Sequence, residues 1–295
     1  MSTQISQESI KAAQLLNDNG FELKGRGILP AIGFGTWALA GGDECVKLVR
    51  DAILCGYRLI DGAALYGNEV EVGKGIAASG VDREELFITS KVKEADMGYQ
   101  STKDAFFKTL TDLDLEYLDL YLIHWPASES NNPKAHELNL ATWKAMTELY
   151  EEGYIMNIGV SNFKEHHLMP LMETKVKPMV NQLEIHPGFS QLELVRFCQA
   201  NEIVPEAWSP MGRQRVFDND VLKAIASECN RTVAQVCLRF VNQLGIPSIP
   251  KSSTIERMKQ NMDIFDFELS DEQMERILVL DEQNLGFSGL DPDKK

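Results

Sequence analysis

Residues 43–61 read DECVKLVRDAILCGYRLID, and this stretch contains the unit that sets the fold. Cys45, Leu48, Val49, Ala52 and Ile53 recur at three- and four-residue steps, which predicts a helix over Asp43–Cys55 with one apolar face. Gly56 supplies a stop. The short run Arg58–Ile60 then reads as a strand that delivers an acid, Asp61, at its end. The same alternation extends in both directions. Further strands are expected at Ala31–Gly35, Leu86–Thr89, Leu118–Ile123, Asn157–Val160, Met179–Leu183, Ile203–Ala207 and Ser248–Ile249. Helices are expected at Glu69–Ala78, Ser101–Leu113, Leu140–Glu151, Gln191–Asn201, Thr232–Leu244 and Ser270–Glu282, the last opened by a Ser270/Gln273 capping box.

Eight strands separated by helices predict parallel pairing, and eight units in ~270 residues match an α/β fold of the (β/α)8 TIM-barrel type. FELKGRGILPAI, residues 21–32, reads as an N-terminal β-hairpin ahead of the first barrel strand. No linker or composition shift divides the chain. Residues 1–20 are expected to form a polar extension outside the main fold, and residues 21–295 a single barrel domain with short βα loops. The rival is a doubly wound open sheet, to which Gly33-Phe34-Gly35-Thr36-Trp37-Ala38 offers a loose GxGxxA match. That match is poor: Ala40-Gly41-Gly42 delays the helix, and Trp37 is a bulky neighbour for a pyrophosphate.

The formal net charge of −15 argues against a nucleic-acid or anionic-membrane surface, since both require clustered Lys and Arg. Hydrophobic residues at 44% provide for a full core. No apolar run is long enough to span a bilayer, and the N-terminus lacks a basic start followed by an apolar stretch. Five scattered cysteines without a CxxC pair suggest buried thiols and a cytoplasmic location. No zinc-type spacing occurs, and the adjacent His166 and His167 are expected to diverge into solvent, so no metal is expected.

In a barrel, chemistry collects where strands end. Those positions hold Thr36-Trp37, Asp61, Lys91, His124-Trp125, Ser161-Asn162, Gln182 with Glu184, Trp208-Ser209 and Lys251-Ser252. Each alone has a structural explanation; their joint arrival at one face points to a site. Asp61, Tyr66, Lys91 and His124 form a candidate catalytic set. An ammonium beside a phenol lowers its pKa from ~10, and such a tyrosine can protonate an oxygen becoming an alkoxide. Ser161, Asn162 and Gln182 suit a carboxamide, and Trp208 offers a face for stacking. Lys251, Ser252 and Arg257 surround a helix start at Thr254, where a cation in the first turn implies a bound anion such as phosphate.

GYRLIDGAALYGNEVEVGKGI (56–76), ITSKV around Lys91, LDLYLIHWP (118–126), IGVSNF (158–163), NQLEIHP (181–187) and IPKS (249–252) resemble, in order, the motifs of the aldo-keto reductase superfamily. EAWSPMG (206–212) is similar to its bacterial branch containing 2,5-diketo-gluconate reductases. The resemblance implies a (β/α)8 barrel that binds NADPH, with NADH a weaker possibility, and reduces small-molecule aldehydes or ketones. Carried onto matching residues, Asp61, Tyr66, Lys91 and His124 become a tetrad with Tyr66 as proton donor. Ser161, Asn162 and Gln182 hold the nicotinamide carboxamide. Trp208 stacks on the ring, and Ser209, Pro210, Met211 and Gly212 line the pyrophosphate path. Lys251, Ser252 and Arg257 grip the 2′-phosphate, with Asn261 near the adenine. Thr36, Trp37, Asp61, Thr254 and Gln260 complete the cofactor set. Trp37, Leu65 and Trp125, with Tyr66 and His124, form the substrate pocket.

Three departures stand out. Gly62 replaces a common Thr, Gln260 replaces a common Glu, and the loops Ala127–Leu138 and Arg213–Asn219 and the tail after Leu285 are short, implying an open rim and broad specificity. A monomer is expected. The alternatives are an NADPH-binding regulatory subunit with little turnover and a Schiff-base aldolase using Lys91.

Overall fold

A computed structural model describes residues 5–130, 132–283, 286 and 290–294. In chain order the elements are α1 (Gln7–Asp18), β1 (Phe21–Glu22), β2 (Ile28–Leu29), β3 (Phe34–Gly35), α2 (Asp43–Cys55), β4 (Leu59–Asp61), α3 (Glu69–Ser79), β5 (Phe87–Val92) and α4 (Tyr99–Leu113). There follow β6 (Leu120–Ile123), α5 (Ala135–Glu151), β7 (Ile158–Ser161), α6 (Glu165–Met172), β8 (Val180–Glu184), α7 (Leu192–Ala200) and β9 (Val204–Trp208). The chain continues with α8 (Asp220–Glu228), α9 (Val233–Gln243), β10 (Ser248–Ile249), α10 (Ile255–Met262) and α11 (Asp271–Leu278).

Strands β3 to β10 pair in parallel, each with its neighbour in sequence. A parallel bridge between Ile32 and Ser248 joins the last strand to the first and closes the ring. Gly33 donates to the Ser248 carbonyl at 2.8 Å, and Gly35 to that of Pro250 at 3.2 Å. A side chain at Gly35 would put its Cβ 2.8 Å from the Ile249 carbonyl oxygen. The glycines of the GxGxxA match therefore serve barrel closure, and the open-sheet alternative falls.

Side chains alternate along each strand, so every second residue enters the barrel. At the N-terminal end these are apolar: Leu59, Phe87, Leu120, Leu122 and Val180 form a lumen cluster with Leu29 and Ile249. The antiparallel hairpin β1–β2 lies beside this layer, contributing the fully buried Leu29. Its turn is pinned by Asn157, which accepts from Arg26 N and donates to Arg26 O. Two residues further along several strands, the inward face becomes polar.

Two expectations change here. Residues 7–18 are not outside the fold: Leu16 is fully buried in the main core and its carbonyl accepts from Ala31 N at 3.0 Å. The polar reading of that segment missed that Ser9, Ala13 and Leu16 line one helix face. Helix α6, absent from the sequence reading, forms despite Pro170, and its Leu168 and Leu171 are buried. The helix expected over Ser270–Glu282 ends at Leu278 and tightens into a 3₁₀ turn. All five cysteines are free, and burial pushes the Cys45 and Cys198 thiols up to about 11. No helix among the described residues is long and apolar enough to cross a membrane.

Candidate active site

Asp61 ends β4, Lys91 lies on β5, and His124 follows β6 directly. Tyr66 stands on the short 3₁₀ turn Ala64–Tyr66 after β4. The structure brings all four together. Lys91 is fully buried and its ammonium meets the two Asp61 carboxylate oxygens at 2.6 and 2.8 Å, the Gly62 carbonyl at 2.8 Å and the Tyr66 hydroxyl at 3.4 Å. The Tyr66 and His124 rings meet edge to face, 5.6 Å between centroids.

Burial disfavours the Lys91 charge, but Asp61 and Tyr66 more than compensate, and its pKa is raised. The Tyr66 phenol does not become unusually acidic. Burial raises its pKa most, and the opposing pull of Lys91 does not overcome burial together with the Asp61 charge. The expectation of an acidified phenol considered the ammonium without the desolvation that comes with burying it.

Tyr66, His124, Trp37, Leu65 and Trp125 line a cavity of about 380 Å³ at the C-terminal ends of the strands. Asp61, Ser161, Asn162, Gln182, Trp208, Ser209 and Lys251 line it too. A second cavity, of about 450 Å³, shares Lys251 and is lined by Met211, Ser252, Arg257, Gln260 and Asn261. Trp208 Nε1 donates to Asn162 Oδ1 at 3.0 Å, which fixes the indole plane. Asn162, held at φ +63°, also donates to the His124 carbonyl and to Ser161 Oγ, each at 3.0 Å. Ser161 Oγ donates in turn to the Gln182 carbonyl. Ser209 and Gly212 have left-handed φ values of +50° and +52°, which turn the chain sharply after β9. Lys251 and Arg257 are exposed, and neither forms an ion pair among the described residues.

Some residues of the expected cofactor set line neither cavity. Thr36 is fully buried, donates to the Asp61 carbonyl at 2.8 Å and lines neither cavity. Thr254 caps α10, accepting from Arg257 N. Pro210 is buried within its turn and lines neither cavity.

Sequence reading missed two charged residues. Arg213 lines the first cavity, with its guanidinium 3.8 Å from the Trp37 ring centroid. Glu206, on β9, is fully buried inside the barrel. Gln182 Nε2 donates both to Glu206 Oε2 at 2.7 Å and to Asp61 Oδ1 at 2.9 Å. Burial, then the nearby Asp61 charge, pushes Glu206 up to about 8. Strand alternation was the available signal, since Glu206 shares a face with Trp208 two residues on.

His166 and His167 do not diverge. Their rings lie 4.0 Å apart, and both reach Asp293 Oδ1, at 2.8 and 3.3 Å. His167 Nδ1 accepts from Lys164 N, so in the neutral ring the proton sits on Nε2 and faces Asp293. A metal-binding His needs the reverse, with the distal nitrogen donating. Burial and the neighbouring His166 keep His167 neutral, its pKa down to about 4. With Lys164 bonded at 2.6 Å to both Asp291 and Asp293, the cluster anchors the chain end. Leu290 just before it lines the first cavity, so the rim is less open than a short tail implies. Residues 284, 285, 287–289 and 295 of that tail, and residue 131 of the Ala127–Leu138 loop, lie outside the described residues.

The model of the aldo/keto reductase family matches residues 31–282. Glyoxal reductase of Bacillus subtilis is 49% identical over 253 residues, covering 85% of this chain and 89% of that protein. Methylglyoxal reductase DkgA of Escherichia coli is 38% identical over 283 residues, covering 95% and 99%. The crystal structure of a mutant of Gox0644 in complex with NADPH superposes with a TM-score of 0.85 at 38% identity, covering 94% and 98%.

Proposed function

Because this chain belongs to the aldo/keto reductase family, we propose that it reduces small aldehydes or ketones to alcohols, with NADPH as reductant and Tyr66 as proton donor. The observation that carries the reading is the Tyr66 hydroxyl, which lines a cavity while its lysine partner is sealed behind it. NADPH, when bound, supplies the hydride that the carbonyl carbon receives.

The residues present suit that cofactor. Two cavities meet at Lys251, which lines both; Trp208 faces the first and Arg257 the second. Lys251 and Arg257 would hold the 2′-phosphate; Ser161, Asn162 and Gln182 would orient the carboxamide. The NADPH complex of the Gox0644 mutant supports the choice, as do the relatives named as glyoxal and methylglyoxal reductases. They favour small carbonyl substrates in a pocket bounded by Trp37, Leu65 and Trp125.

Tyr66 holds its proton at neutral pH and releases it as the carbonyl oxygen gains charge. The Lys91 ammonium stabilises the phenolate left behind, and Asp61 keeps that ammonium charged and fixed. His124 packs against the phenol and helps position the substrate oxygen. A Schiff-base role for Lys91 is disfavoured: an imine requires a neutral, accessible amine, whereas this one is fully buried and bonded to acceptors.

The test is consumption of NADPH with glyoxals, keto sugars and aromatic aldehydes, run in parallel with NADH. Turnover with several of them and a preference for NADPH is expected. Cofactor binding without turnover of any substrate would favour the regulatory-subunit reading.

A further inference from the structure

Gln182 and Glu206 are register partners across β8 and β9, and both side chains enter the barrel. The Gln182 amide also crosses the lumen to Asp61 on β4. Lys91, Asp61, Gln182 and Glu206 thus form one continuous polar chain beneath the cavity, and Glu206 is its far end.

The chemistry of this chain fixes which way the amide faces. An Asp61 carboxylate engaged by an ammonium can only accept, so the Gln182 atom facing it must be the nitrogen. That nitrogen has two hydrogens, and the second goes to Glu206 Oε2. Both donors are consumed inside the barrel. Only the amide oxygen remains for a ligand in the cavity that Gln182 lines. Asp61 alone would hold one hydrogen and leave the other without a partner in a buried layer. The other Glu206 oxygen, Oε1, is buried with no hydrogen-bond partner among the described residues, so this acid serves the chain through a single bond.

We propose that Glu206 is a positioning residue: by anchoring the second Gln182 hydrogen, it commits the Gln182 oxygen to the amide hydrogens of the nicotinamide carboxamide. The inference rests on the cofactor reading above. Glu206 touches neither cofactor nor substrate; it acts through Gln182.

The test compares two ligands by calorimetry: NADPH, and 2′-phospho-ADP-ribose, which lacks the nicotinamide. Glu206→Leu removes the acceptor and leaves an apolar side chain one atom shorter. This variant should lose about 5- to 10-fold in NADPH affinity, the equivalent of one net hydrogen bond, and bind the fragment as the wild type does. Glu206→Gln can present its own amide oxygen to Gln182, and should retain the wild-type ratio between the ligands. Equal loss on both ligands would mean a role in the fold alone and would overturn the proposal, as would no loss on either. A Glu206→Gln variant as impaired as Glu206→Leu would overturn it too. Wild-type protein that binds neither ligand would instead remove the cofactor reading itself, and this proposal with it.

Discussion

The Lys91 ammonium meets both carboxylate oxygens of Asp61, at 2.6 and 2.8 Å, with Lys91 fully buried and Asp61 almost so. A buried pair of this kind is sustained by its geometry, and removing one partner strands the other charge in a medium that cannot solvate it. The pair therefore offers the phenol next to it a permanent cation, fixed before any substrate arrives. Pre-organisation of that sort costs no rearrangement when charge develops.

Tyr66→Phe tests the proton donor directly. The ring packing against His124 survives and the hydroxyl is lost. Turnover should fall by about 10²–10⁴, the usual worth of general acid catalysis, while NADPH binding stays near wild type. Steady-state kinetics beside a binding titration separates the two. Turnover close to normal would exclude Tyr66 as the donor.

Lys251→Ala with Arg257→Ala probes the second cavity and its junction with the first. Two exposed cations without an ion-pair partner among the described residues, in a chain of net charge −15, are suited to a phosphate. The double variant should weaken NADPH by about tenfold or more and leave NADH nearly unchanged, since NADH lacks the 2′-phosphate. Equal weakening of both cofactors would move the phosphate elsewhere.

The strands and their polar ends were legible because strand alternation and position make a local signal. Asp61, Lys91, His124 and Gln182 each sit at or beside the C-terminal end of a short apolar run. Glu206 is harder to read because it lies inside its strand, two residues before the strand-end Trp208 on the same face. The cluster of Lys164, His166 and His167 with Asp291 and Asp293 joins segments more than 120 residues apart, and no local pattern carries such a contact. The direction of the Tyr66 shift is hidden from the sequence for a related reason. Desolvation depends on everything packed around the hydroxyl, and no neighbour in sequence reports it.

Leu16→Ala measures how firmly the first helix belongs to the fold. Leu16 is fully buried in the main core, and its backbone carbonyl ties α1 to the segment entering β3. A loss of about 2–5 kcal/mol in urea unfolding is expected for truncating such a side chain. A change within a few tenths would mean that α1 frays without consequence.

Gly62 departs from the common pattern and sits in a roomy place. An added Cβ there would lie 3.4 Å from the Thr89 carbonyl oxygen and 3.8 Å from Thr36 Oγ1, both ordinary contacts. Gly62→Ala restricts the unfolded chain without straining the native one, so it should stabilise by about 0.4–1 kcal/mol. A lowered melting temperature would show that the backbone at Gly62 has to move.

Glu206 also leaves a thermodynamic signature. Its acid pKa is about 8 in the folded protein, against 4.5 as its ordinary value. Between those two values the native state binds a proton that the unfolded chain has released, so stability falls as pH rises through that window and levels off above it. The Glu206→Gln variant has no proton to exchange at this position. Its stability relative to wild type should therefore increase steadily from about pH 4.5 to about pH 8 and then stay constant. Urea midpoints for both proteins at intervals across that range give the difference curve. Two parallel curves would mean that Glu206 ionises in the folded barrel as readily as in the open chain, and that neither its burial nor the charge of Asp61 holds the proton in place.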